Sequence, residues 1–184
     1  MKLEYLPNTL CIFRILLIGP VVWAIFQQRY DLALLLFVTA GLTDGLDGFL
    51  ARRFDWRTEL GAILDPLADK LLMLAVLLSL AYAQLIPVWL AAVLISRDVI
   101  IVGGAISYRF LIGPFQGKAE TVSKLNTAIQ LLFVTAVLGS AAFSLPDKLS
   151  VAVLGSLVFV TAIISGMNYV RGWTLLALRK GQKI

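Results

Sequence analysis

The chain has 184 residues, 60% of them hydrophobic and 15% charged, with a net charge of +5 and a mean hydropathy of +0.91. A water-soluble domain of this size cannot bury so much apolar surface, and its cations flank hydrophobic runs, so the composition points to a helical membrane protein attracted to anionic lipid and not to nucleic acid. The absence of His removes the usual general base, most zinc sites and Ser-His catalysis, and the single Cys11 excludes an internal disulfide or cysteine-cluster metal site.

Six spans are predicted in chain order, and together they read as one membrane domain over 1–184. The first covers Leu10 to Phe26 after a short amphipathic lead-in, MKLEYLPNT. It is too long for a signal-peptide core and has no small-residue cleavage site. The second runs from Asp31 to Phe54, the third from Glu59 to Ala83 and the fourth from Ile86 to Phe110. The fifth covers Ala119 to Phe143 and the sixth Lys148 to Leu178. Turn signals fill the gaps: QQRYD, FDWRT, AQLIP, IGPFQGK and SLPDK. With both termini in the cytoplasm, eleven Lys and Arg fall at cytoplasmic ends and only Arg29 and Lys148 at the other side. The expected fold is therefore an all-α integral membrane protein, a six-transmembrane-helix bundle with both termini cytoplasmic. Its compactness, with no transit peptide evident, suggests a bacterial inner membrane.

The stretch from Asp44 to Lys70 concentrates five Asp, one Glu, three Arg and one Lys. Asp44 and Asp47 are three apart and share a helix face, as do Asp65 and Asp69, four apart. The short FDWRT turn makes their helices antiparallel neighbours, so four carboxylates can converge near the cytoplasmic boundary. Such a cluster is untenable without a positive partner. With oxygen donors and no His or thiolate cluster, a hard divalent ion such as Mg²⁺ or Mn²⁺ is the natural one. Gly48 and Ala51 lie between Asp47 and Arg52, where missing side chains leave room for a ligand. Gly41 and Gly155 read as helix-packing positions, and Cys11 as a small buried filler.

Written out, the pattern is Asp44-x2-Asp47-Gly48-x2-Ala51-Arg52-x8-Gly61-x3-Asp65-x3-Asp69. It resembles the CDP-alcohol phosphatidyltransferase family, whose signature D-x2-D-G-x2-A-R-x8-G-x3-D-x3-D matches at all eight defining residues. The resemblance implies transfer of a phosphatidyl or similar unit from a CDP-linked donor to an alcohol, with release of CMP, by a six-helix homodimeric enzyme with a cytoplasmic-side site. Carried over, Asp44, Asp47, Asp65 and Asp69 would hold two divalent ions, and Asp69 would also act as general base on the acceptor hydroxyl. Gly48, Ala51 and Arg52 would line the CDP site. The start LPNTLCIFR resembles the family's P-N-x-x-T-x-x-R, which adds Asn8 to the donor side and Arg14 to the acceptor side; Cys11 stands at the usual Thr position. Arg97 and Lys124 would form the pocket for a phosphate-bearing acceptor, with Asp98 pairing one of them.

Within the family, LIPVWLAAVLISRDVIIVGG and SKLNTAIQLLFV look like the branches acting on glycerol headgroups, the CMP-forming cardiolipin synthases and phosphatidylglycerophosphate synthases. In the latter a second Lys follows in the motif where Asn126 stands here. One cation fewer suits a less charged acceptor, so phosphatidylglycerol is preferred, with glycerol 3-phosphate as the alternative. The donor is then CDP-diacylglycerol and the surroundings a lipid bilayer. Two other classes use intramembrane carboxylates. A prenyltransferase needs two acidic motifs far apart in sequence, and a cation transporter needs acids near the bilayer midplane; this chain has one compact block toward the membrane edge.

Overall fold

The computed structural model describes residues 6–54, 59–111 and 121–181, with side chains at 9–46, 53–54, 67–104 and 122–171. These residues form six α-helices: α1 Leu6–Phe26, α2 Tyr30–Arg53, α3 Glu59–Tyr82, α4 Val88–Leu111, α5 Thr121–Phe143 and α6 Lys148–Gly181. No strand occurs among the described residues. The all-helical expectation therefore holds, and each predicted span has its helix. Among the described residues, three helices contain stretches long and apolar enough to cross a membrane: Thr9–Phe26, Val122–Phe143 and Lys148–Arg171. α2 carries Asp31, Asp44, Asp47, Arg52 and Arg53. α3 runs unbroken through Pro66, and α1 through Pro20.

Two turns close tightly without glycine. Gln28 and Gln84 both take left-handed backbone, each at φ 58°. Around Gln28 the amide of Arg29 donates to Ala24 O at 2.9 Å and that of Gln28 to Ile25 O at 3.0 Å. Around Gln84 the amide of Leu85 donates to Leu80 O and that of Gln84 to Ala81 O. Both are Schellman closures, which satisfy the last carbonyls of α1 and α3. A side chain in this conformation costs about 1 kcal/mol relative to glycine. Gln28→Gly is expected to raise the thermal unfolding midpoint slightly, and a fall would show that the Gln28 side chain matters more than its backbone strain.

The chain divides into two compact units, Met1–Pro87 with Thr135–Asp147, and Val88–Val134 with Lys148–Ile184. In the first, α1 packs on α2 and on α3. The contact faces repeat every three or four residues: Arg14, Leu17, Val21, Ala24 and Ile25 on α1, Ala33, Phe37 and Ala40 on α2, and Leu72, Val76, Leu77 and Leu80 on α3 are buried. Phe26 meets Tyr82 edge-on at 5.4 Å. In the second unit α4 packs on α6, with Trp89 edge-on to Phe159 at 5.5 Å. Leu16, Leu35, Leu42, Leu132 and Met167 are exposed, as suits helix faces turned to lipid. Of the two glycines read as packing positions, Gly155 fits, since a Cβ there would stand 3.2 Å from Phe133 Cε2. Gly41 does not, with nothing within 4 Å of its Cβ position.

Candidate active site

Three helices of the first unit bring the acidic motif together. Asp44 lies on α2 and Asp69 on α3, and between them sits Arg14 of α1. Arg14 Nη1 is 2.6 Å from Asp44 Oδ1 and 3.0 Å from Asp69 Oδ1, and it donates a hydrogen bond to the latter. Two helices therefore present carboxylate oxygens to one nitrogen. The burial is graded. Arg14 is completely buried, whereas the Asp44 and Asp69 side chains keep 37% and 45% of their surface. The carboxylates face outward over a guanidinium sealed beneath them. Cys11, three residues before Arg14, is buried and unbonded to any other cysteine, in keeping with the filler reading.

The side chains of Asp47, Gly48, Ala51, Arg52, Asp65 and Asn8 lie outside the described residues. Their backbones belong to α2, α3 and α1. Helical continuity puts Asp47 on the Asp44 face and Asp65 on the Asp69 face. Among the described residues no three metal-ligating side chains gather; the described part of the cluster is the Asp44–Asp69 pair. Its donor chemistry suits a hard divalent ion, since half-exposed carboxylate oxygens from two helices converge and the chain has no His.

The expected acceptor residues Arg97 and Lys124 belong to the second unit. Arg97 is almost fully buried on α4. Its Nη1 donates to Asp98 Oδ1 at 2.6 Å, and its Nη2 donates to Ser123 Oγ at 2.7 Å and Ser165 Oγ at 2.8 Å. One guanidinium thus ties α4 to α5 and α6, and Asp98 pairs with it as expected. Its Nε has no partner among the described residues. Lys124, the residue after Ser123, is exposed. Asn126 is fully buried; its Oδ1 lies 2.9 Å from the Thr161 hydroxyl, and its Nδ2 donates to Gln130 Oε1 at 3.4 Å.

Ser165, Thr161 and Gln130 were not singled out by sequence. The available signal was modest: uncharged polar residues inside otherwise apolar spans, which in a membrane seek partners on neighbouring helices.

Comparison with known proteins agrees with this picture. The family model for CDP-alcohol phosphatidyltransferase matches residues 4–174. The human protein named cardiolipin synthase (CMP-forming) is 37% identical over 180 residues, which is 89% of this chain and 60% of that protein. The CDP-diacylglycerol–glycerol-3-phosphate 3-phosphatidyltransferase of Bacillus subtilis is 34% identical over 139 residues, covering 69% of this chain and 68% of that one. A Streptomyces coelicolor cardiolipin synthase (CMP-forming) is 34% identical over 141 residues, or 71% of this chain and 65% of that protein. The chain spans 60% of the length of the human relative it matches. With one family model covering nearly all of its length, and with the motif carboxylates of α2 and α3 meeting in space, this chain belongs to the CDP-alcohol phosphatidyltransferase family.

Proposed function

We propose that this protein transfers the phosphatidyl group of CDP-diacylglycerol to a glycerol-type alcohol with release of CMP, and that the alcohol is phosphatidylglycerol, giving cardiolipin. The observation that carries the reading is the convergence of Asp44 and Asp69 from separate helices, at a half-exposed position, within a complete family motif. Asp44, Asp47, Asp65 and Asp69 would hold two Mg²⁺ or Mn²⁺ ions, which supply charge neutralisation for the diphosphate and the departing CMP. Asp69 takes the proton of the acceptor hydroxyl as its oxygen bonds to the phosphatidyl phosphorus, and the phosphorus–oxygen bond to CMP breaks. Asn8, Gly48, Ala51 and Arg52 would bind the CDP moiety, Arg52 beside the diphosphate. Arg97 and Lys124 would meet the acceptor's phosphodiester: Lys124 is exposed, and Arg97 keeps a buried Nε–H that no described residue accepts.

In the same reading all six helices span the bilayer, with both termini in the cytoplasm and the site facing it, in a bacterial inner membrane; the asymmetry of Lys and Arg supports the orientation. The enzyme works as a homodimer, by resemblance to its family.

Purified protein with CDP-diacylglycerol, Mg²⁺ and phosphatidylglycerol is expected to release CMP, and addition of EDTA to stop it. Parallel tubes carry glycerol 3-phosphate. Turnover only there would replace the acceptor assignment with phosphatidylglycerophosphate synthesis, for which the Bacillus relative is the precedent. No CMP with either acceptor would reject both.

A further inference from the structure

Nothing in the spacing of the acidic motif explains how two carboxylates on different helices are held at a fixed separation. Like charges push such a pair apart. Arg14 answers that need, and its placement is unusual in three respects. It lies on α1, outside the motif and 55 residues from Asp69. It is completely buried, in a helix that is otherwise apolar around it. It also reaches both carboxylates through a single nitrogen, at 2.6 and 3.0 Å. A buried, permanently charged guanidinium is costly unless it is paired. Here its partners are the two acids that the reaction requires.

We propose that Arg14 is a positioning residue of the carboxylate centre: it grips Asp44 and Asp69 by their Oδ1 atoms and fixes the distance and orientation at which α2 and α3 present them to the metal. This rests on the metal-binding reading given above. A carboxylate held by one oxygen cannot turn freely about its terminal bond, so the grip sets the edge it offers. The gradient of burial fits that role, with the guanidinium sealed on the inner side and the carboxylates exposed on the other. The packing of α1 supports it too. Cys11 and Leu17, three residues to either side of Arg14 and on the same helix face, are buried with it. The acceptor contact expected for Arg14 from sequence gives way to this role, because a side chain with no exposed surface and two carboxylate partners is poorly disposed to meet an incoming lipid. Arginine suits the task better than lysine. Its planar fork has fixed directions, whereas an ammonium is a point charge on a flexible stem.

The rival reading makes Arg14 a competitor that occupies the carboxylates and must be displaced when metal binds. The two readings differ in the sign of one measurement. Full-length wild type, Arg14→Lys and Arg14→Gln are purified in detergent, their fold is checked by size exclusion and circular dichroism, and Mn²⁺ binding is titrated by electron paramagnetic resonance. Steady-state CMP release is measured alongside. Loss of a residue that orients metal ligands weakens metal binding about 10- to 100-fold. Both variants are expected to bind Mn²⁺ at least about tenfold more weakly, with kcat falling while the KM for CDP-diacylglycerol stays put. In Arg14→Gln the lost positive charge would by itself tighten cation binding, so weakening there has to come from geometry. Unchanged affinity in Arg14→Lys, or tightened affinity in Arg14→Gln, overturns the proposal. Should Arg14→Gln fail to fold, Arg14→Lys decides alone. Wild type that binds no Mn²⁺ overturns the metal reading and this proposal together, whereas wild-type binding with unaltered variants removes only the role of Arg14.

Discussion

Asp69→Asn is expected to lower CMP release by at least about a thousandfold while leaving the protein folded. The amide matches the carboxylate in shape, and its Oδ1 can still accept the hydrogen bond that Arg14 Nη1 gives at 3.0 Å. Arg14 also keeps Asp44 as a charged partner at 2.6 Å. What the amide cannot do is take a proton or contribute negative charge to a metal site. Positioned proton transfer alone contributes roughly 10²- to 10⁴-fold, and the proposed loss of a metal ligand adds to that. Asp31→Asn is the matched control. Asp31 is exposed in the first turn of α2, far along the helix from Asp44, and its replacement should leave turnover unchanged. Near-normal CMP release by folded Asp69→Asn would remove Asp69 from the base role.

The second large effect concerns stability. Arg97→Met is expected to destabilise the protein by about 3 kcal/mol, seen as a clear fall in the thermal unfolding midpoint. Methionine fills similar space but removes the donor that serves Asp98, Ser123 and Ser165. Breaking a buried ion pair by removing one partner costs about 3–5 kcal/mol, because the other charge loses its counter-charge. Asp98 keeps 16% of its side-chain surface, so some water reaches it and the low end of that range applies. The two serines lose less, since a helical hydroxyl can turn back to its own helix carbonyl. If the lost counter-charge is the cause, the double variant Arg97→Met with Asp98→Leu should recover most of the loss. No recovery would mean that the tie to α5 and α6, and not the charge pair, carries the stabilisation.

The helices were legible because charge and turn residues punctuate the apolar runs, and α2 and α3 begin within a residue of where Asp31 and Glu59 suggested. The meeting of Asp44 with Asp69 was legible as well, from two helical spacings and one short turn. Three features were not. The partners of Arg14 lie on two other helices, Asp69 as much as 55 residues away, and local spacing carries no information at that range, so a buried clamp and a ligand-facing cation look alike in sequence. Asn126 was read for the charge it lacks; its place in a buried chain with Thr161 and Gln130 depends on how α5 meets α6. The left-handed residues at Gln28 and Gln84 escaped notice because glycine, the usual marker, is missing from both turns.

The sealed guanidinium also bears on how the chain enters a membrane during synthesis. α1 is made before α2 and α3 and carries Arg14 nearer the start than the centre of its apolar stretch Thr9–Phe26, where an unpaired arginine opposes insertion by less than the about 2.5–3.5 kcal/mol it costs at a helix centre. Its neutralising partners are Asp44 on α2 and Asp69 on α3, so the second of them arrives only after α2 and part of α3 have been made. The first helix is thus a provisional tenant of the bilayer until the third arrives. The shortest stretch of chain in which Arg14 has both carboxylates runs from α1 to α3, and the charge that makes α1 wait is one that later holds those carboxylates in place.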